Sequence, residues 1–286
     1  MLKTQFKDLF QDARDAQIAF LGLFLLLGIS TRDWTLHLGL IGAIAASCLV
    51  TQWLAQVAIP KLQGQMIKLW QLPPSWKSAL ITALGLCLLL RGNHYWSMAL
   101  AGAVAIASKF LLRVGNKHFF NPANFGIIVA LTLTPDAWVS PGQWGTGIWY
   151  LLLFAGAGGL VLKWVGRWET SAAFFCTYAG LEAIRYAWLG WTPDVYLHKL
   201  MSGSLLLFAL FMVTDPRSIP NARQARVVWA VLVAWLTFLL QEEFFLTTGM
   251  FWALFVLAPL TPILDRIWSA PQFQFIAKPD SKSLAT

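Results

Sequence analysis

Residues 117–126 read "KHFFNPANFG", and the layout of the whole chain follows from that stretch. Asn121 before Pro122 is a helix start: the Asn side chain accepts a free amide of the first turn, and Pro sits where its missing N–H costs nothing. The residues after it, ending "GIIVALTLTP" at 126–135, form an apolar run, and Arg113, Lys117 and His118 precede it. A helix therefore enters an apolar phase from a basic loop, with its positive dipole end toward the basic residues.

Composition says what that phase is. Of 286 residues, 58% are hydrophobic and 12% charged, against about 25% charged in a soluble domain. The chain reads as an integral membrane protein. Its 16 Trp support this: Trp34, Trp96, Trp138, Trp144, Trp188 and Trp191 gather near one set of segment ends, and Trp70, Trp76, Trp164, Trp168 and Trp268 near the other, as aromatic belts do. The net charge of +8 reports topology rather than nucleic acid, which is set aside as a partner. Cys48, Cys87 and Cys176 each stand alone in an apolar run, a spacing that fits no zinc or iron–sulfur site and reads as packing. No metal site is expected.

Apolar stretches long enough for about 30 Å of hydrocarbon occur ten times, at roughly 16–33, 36–58, 77–92, 95–112, 122–138, 144–165, 169–190, 200–214, 225–241 and 246–264. The first follows Lys3, Lys7 and Arg14, but also Asp8, Asp12 and Asp15, and lacks a small-residue cleavage site, so it is kept as a span rather than a signal peptide. With both termini in the cytoplasm, 17 of the 21 Lys and Arg fall inside, and only Arg32, Arg91, Arg185 and Lys199 fall outside. One missed span would reverse every later loop, so the asymmetry supports the count. "SALITALGLCLLLRG" in the third span resembles "SGSLLLFALFMVTDP" in the eighth, and the fifth resembles the tenth, "GMFWALFVLAPLTP". Because five is odd, such a duplication is inverted. The expectation is an all-α polytopic membrane protein of ten transmembrane helices in two inverted five-helix repeats: a cytoplasmic segment 1–15, repeats at 16–138 and 139–264, and a cytoplasmic tail 265–286, in a bacterial-type inner membrane.

Sites in such folds lie where helices break. The start at Asn121, near Arg113, Lys117 and His118, suits an anion such as a cofactor phosphate or carboxylate, and equally an ordinary capped helix. Ser202, Gly203 and Ser204 open the eighth span with residues small enough for another backbone or a flat ligand. That span ends at Thr214 and Asp215, where Asp215 can cap the turn begun by Pro216, pair with Arg217 or Arg223, or meet a cation. Glu182 and Arg185, three apart, suit an internal ion pair. No nucleophile elbow, Walker loop, zincin motif or dinucleotide fingerprint occurs, which excludes the common hydrolytic signatures.

The stretches "AVAIASKFLLRVGNKHFFNPANFGIIVALTLTP", "LHKLMSGSLLLFALFMVTDPRSIPNARQARVVWAVLVAWL" and "FWALFVLAPLTPILDR" together resemble the RnfD membrane protein of the Rnf electron-transport complex and, more distantly, the NqrB protein of the sodium-pumping NADH:quinone reductase. The resemblance implies ten helices in inverted halves. It also implies a role in a membrane redox complex, with electrons passing through a flavin and the flow coupled to Na+ or H+ movement. By position it carries over Asn121, Pro122, Ala123, Asn124 and Gly126, then Ser202, Gly203 and Ser204, as cofactor-binding, and Thr214 and Asp215 as ion-coupling. The family's flavin hangs on a Thr in an S-x-A-T stretch between the fifth and sixth helices; "DAWVSPGQWGTG" at 136–147 lacks it, and Thr146 stands in a different context. The cofactor implied is therefore FMN or riboflavin held without a covalent bond. Other subunits of a redox complex are the implied partners, or a soluble redox protein that the basic loops around Lys61, Lys68, Lys77, Arg217, Arg223 and Arg226 would attract. The alternative is a small-solute or ion transporter or channel using the same scaffold without flavin.

Overall fold

A computed structural model describes residues 12–32, 36–62, 75–140, 142–145 and 147–273. Most of the described backbone is helical, as it must be where no water satisfies N–H and C=O groups. The helices are α1 (Ala13–Thr31), α2 (Leu38–Leu62), α3 (Trp76–Leu89), α4 (Tyr95–Leu111), α5 (Pro122–Leu133), α6 (Ile148–Val165), α7 (Trp168–Leu189), α8 (Pro193–Leu200), α9 (Gly203–Leu207), α10 (Arg223–Glu242), α11 (Gly249–Leu257) and α12 (Leu260–Ile267). A π-helical segment, Phe208–Met212, continues α9. Four helices, α1, α2, α6 and α10, are long and apolar enough to cross a bilayer alone, and the bent pairs α8/α9 and α11/α12 raise that to six. The helices α3, α4 and α5 are apolar but shorter. This is a multi-pass, all-α membrane protein.

Local chemistry explains the breaks. The fifth apolar run stops at Leu133 rather than 138, because Thr134 precedes Pro135 and takes extended geometry (φ −121°, ψ 139°), as residues before proline do. The eighth run is α9 with its π continuation, and the short helix α8 precedes it, the pair bending by 47°. The tenth bends by 48° after α11, where Pro259 stands at the start of α12.

Packing follows a repeated scheme. In the first half α2 lies on α4, α4 on α5, and α1 on α3; in the second, α7 lies on α10, α10 on α11, and α6 on α9 and its π turn. The halves meet where α1 touches α6 and where α5 crosses α11, with Asn124 Nδ2 donating to Phe251 O at 3.0 Å. Gly126 lets α5 approach α4 closely, since a Cβ there would lie 2.6 Å from Ala101 O.

The two ends of the bundle differ. At the basic end, the hairpin β2 (Arg113–Val114) and β3 (Lys117–His118) places Lys117 Nζ 2.6 Å from both Ile219 O and Asp265 Oδ2. Asp265 also accepts from Asn221 N at 2.7 Å, and Arg226 pairs with Glu169 nearby. At the far end β1 (Leu90–Arg91) pairs with β4 (Trp138–Val139). There Asp136 accepts from Asn93 N at 2.9 Å and His94 N at 2.8 Å. Desolvation alone would raise the Asp136 carboxyl, but bonds from Ser97, His94 and Asn93 hold it below the usual carboxylate range. Asp136, after α5, clasps the turn before α4, and Asp265, in α12, clasps the turn before α10.

Candidate functional site

At the basic end, a cavity of about 100 Å³ opens between α1, α3, the start of α5, α6 and the π turn after α9. Its floor is apolar, with Leu88, Leu89, Leu162 and Phe211, and its rim is polar, with Arg14, Lys109, His118, Asn121, Asp215 and Arg217. Both halves of the chain contribute.

Asn121 joins the two halves. Its Oδ1 accepts from Asn124 N at 3.0 Å, capping α5, and its Nδ2 donates to Met212 O at 3.1 Å, in the π turn of the other half. The helix start thereby fixes the exit of the eighth span, where Thr214 Oγ1 donates to Leu210 O at 2.7 Å. Asp215 Oδ1 accepts from Arg217 N at 3.2 Å. Asp215 is thus a cap for the Pro216 turn, and its carboxylate also lies in the field of Lys109 and His118. Lys109 Nζ reaches Gln52 Oε1 at 3.4 Å. Burial pushes the His118 imidazole down to about 4; Lys109, Arg217 and Arg113 add to this and Asp215 opposes it. His118 is therefore neutral at pH 7. Burial also lowers Lys117, against the pull of Asp265.

The residues singled out from sequence separate into three places. Asn121 and Pro122 line the cavity together with Thr214 and Asp215. Asn124 and Gly126 face the crossings of α5 with α11 and α4 instead. Ser202, Gly203 and Ser204 lie at the start of α9, where a Cβ on Gly203 would fall 2.4 Å from Trp144 Cβ and 2.9 Å from Phe154. Close packing occupies that place, and Ser204 is fully buried there. Thr146 lies outside the described residues. Glu182 and Arg185 do not pair with each other: Glu182 Oε1 lies 2.7 Å from Lys199 Nζ, and Arg185 Nη1 lies 3.0 Å from Glu242 Oε2. Sequence reading counted Lys109 and Arg14 only as topology signals. Their signal as rim residues was placement in the terminal turn of an apolar helix beside the NPA turn.

The donor set of the rim suits an anion or the polar edge of a flavin. The space does not: pockets that bury drug-sized ligands hold about 300–1,000 Å³, and about 100 Å³ accommodates a small ion or a few waters.

Comparison with known proteins locates the chain. Residues 138–274 match the family described as NQR2, RnfD, RnfE. A protein of Pseudomonas paraeruginosa, named as the D subunit of an ion-translocating oxidoreductase complex, is 26% identical over 309 aligned positions, covering 85% of each chain. Proteins of the same name from Stutzerimonas stutzeri and Cronobacter sakazakii are 30% and 31% identical over 131 and 116 residues. Those two alignments take in 45% and 38% of this chain but only 36% and 32% of the relatives' lengths. The apolar helical bundle is thus similar, through the family match over residues 138–274 and the near end-to-end alignment with the Pseudomonas protein, to membrane proteins of the NQR2, RnfD, RnfE family.

Proposed function

We propose that this protein is the membrane subunit of an Rnf-like electron-transport complex, working beside other subunits and coupling electron flow to Na+ or H+ movement. The observation that carries the reading is the cavity at the basic end, where the NPA start of one half and the Thr214–Arg217 turn of the other are tied by Asn121. A site shared by two halves changes shape when they move against each other. In this reading the chain makes ten crossings in two inverted five-helix repeats, 16–138 and 139–264. The repeated packing scheme and the matched Asp136 and Asp265 clasps support that. In this reading the basic end and both termini face the cytoplasm, which the Lys and Arg asymmetry supports.

Flavin enters as non-covalent FMN or riboflavin, a group that would accept and donate electrons. This chain would contribute the cationic rim, the apolar floor and the Asn121 tie. With about 100 Å³ between these elements, the reading has α1 and α6 part from the π turn to admit the ring. The test is the flavin absorbance and fluorescence of protein purified in mild detergent, before and after acid precipitation. Flavin released to the supernatant supports the proposal, whereas a protein that stays colourless after incubation with FMN and riboflavin refutes it.

The small volume of the cavity favours a second reading, an ion or small-solute transporter on the same scaffold without flavin. Uptake into proteoliposomes by a colourless protein would select it.

A further inference from the structure

A buried stripe runs along α7 at four-residue spacing: Thr170, Phe174, Tyr178, Glu182 and Tyr186, none more than 7% exposed. At the far end this stripe meets charge from two other elements. Lys199 comes from α8, and Gln241 and Glu242 come from α10. Glu182 has no exposed surface, and its Oε1 lies 2.7 Å from Lys199 Nζ. Lys199 also contacts Glu242, whose second oxygen lies 3.0 Å from Arg185. One turn inward, Tyr178 donates its hydroxyl proton to Gln241 Oε1 at 2.7 Å, and beyond the Lys199 contact both Glu182 oxygens are buried without a hydrogen bond. Tyr186 flanks the group on the other side. Lys199 remains 24% exposed at its side chain, while Glu182 is closed off. The network therefore grades from a solvent-facing ammonium to a sealed carboxyl.

Two features select the species such a carboxyl would handle. The Lys199 ammonium already occupies the space between the two carboxylates where a metal cation would sit, and no group of three or more His, Cys, Asp or Glu among the described residues could hold one. A phenol has one proton to give. Tyr178 gives it to Gln241 and so offers none to Glu182. Both Glu182 oxygens are sealed and accept no hydrogen bond, so taking up a proton removes the cost of a buried, poorly satisfied charge.

We propose that Glu182 is a proton-binding carboxyl that exchanges with water at the far end of the bundle through Lys199 and Glu242, with Tyr178 and Gln241 next in line toward the interior. The proton comes from bulk water and returns to it, and no electron moves. The site is remote from the cavity and stands whether or not flavin binds there.

Infrared spectroscopy of the purified full-length chain, titrated between about pH 5 and about pH 9, tests this. Wild type should show a protonated-carboxyl carbonyl band that grows on acidification and shifts in D2O. Glu182→Gln should abolish it, Glu242→Gln should retain it, and Lys199→Met should move its midpoint up by about one pH unit, because the neighbouring cation is gone. If wild type has no titrating band, Glu182 is permanently ionised against the Lys199 ammonium, and the proposal fails. A band that survives Glu182→Gln also overturns it. Should Glu182→Gln not fold, the Lys199→Met shift decides: an unmoved midpoint counts against Glu182.

Discussion

Replacing Asn121 separates two jobs that one side chain performs. Its oxygen caps α5 through Asn124 N, and its amide nitrogen holds Met212 O in the other half. Asn121→Ala removes both. Loss of a cap costs about 1 kcal/mol. Met212 O is then left with a long contact, 3.4 Å from Asp215 N, and stranding a buried carbonyl in this way costs about 1–2 kcal/mol. The sum, about 2–3 kcal/mol, corresponds to a melting temperature lowered by roughly 4–12 °C at roughly 2–4 °C per kcal/mol. Asn121→Ser keeps a cap acceptor and removes only the tie, so it should fall about midway between wild type and Asn121→Ala. Thermal unfolding in mild detergent, followed by intrinsic tryptophan fluorescence, reads both variants. If Ser melts as low as Ala, the cap contributes nothing, and if Ala melts within about 1 °C of wild type, both hydrogen bonds are irrelevant and the two-job account is wrong.

Three further outcomes are expected. Gly203→Val should lower the melting temperature more than Gly126→Ala does, because its Cβ meets the fixed Trp144 Cβ at 2.4 Å; overpacking costs typically about 1–3 kcal/mol, and Gly203→Val tolerated without loss would show that α9 can shift. Asp265→Ala should destabilise by about 3 kcal/mol by stranding the buried Lys117, while the double change Lys117→Met with Asp265→Leu should recover most of that in a double-mutant cycle. His118 has a folded pKa of about 4, below its ordinary value near 6.5, so the unfolded chain binds more protons between those values. Its stabilising contribution is complete above about pH 6.5 and is lost as pH falls toward 4, by up to about 3 kcal/mol. Melting curves of His118→Gln should show a shallower loss on acidification, and an unchanged slope would contradict the burial.

The helix start at 117–126 was legible because capping is local: Asn121 and Pro122 carry it whatever surrounds them. The apolar runs were legible for the same reason, as hydrocarbon selects composition one segment at a time. The end of the fifth run was overshot by reading hydropathy past Thr134, although Pro135 held the answer. Helix α8 was not legible because it lies before the eighth apolar run and carries Asp194, His198 and Lys199, so hydropathy gave it no signal. Least legible were the long-range partners. Glu182 and Arg185 invited pairing by spacing, yet Lys199 and Glu242, brought in by α8 and α10, took them separately. Likewise the NPA turn, the Ser202–Ser204 start and the Thr214–Asp215 turn look equivalent as helix ends, and only packing between the halves puts the first and third around one cavity.

The π turn at Phe208–Met212 has a consequence for how this chain tolerates length changes. A π turn contains about one residue more than an α turn, so it acts as an inserted residue held in place by the tie from Asn121 to Met212. Closing the segment into a plain α-helix at unchanged length would rotate everything after it by about 100°. Thr214 and Asp215 would then swing away from the cavity while the hydrophobic content of the span stayed the same. Deleting one residue from Phe208–Met212 removes the extra residue and preserves that phase, whereas a same-length change that trades the π turn for an α turn would leave a folded protein whose two halves no longer meet in register.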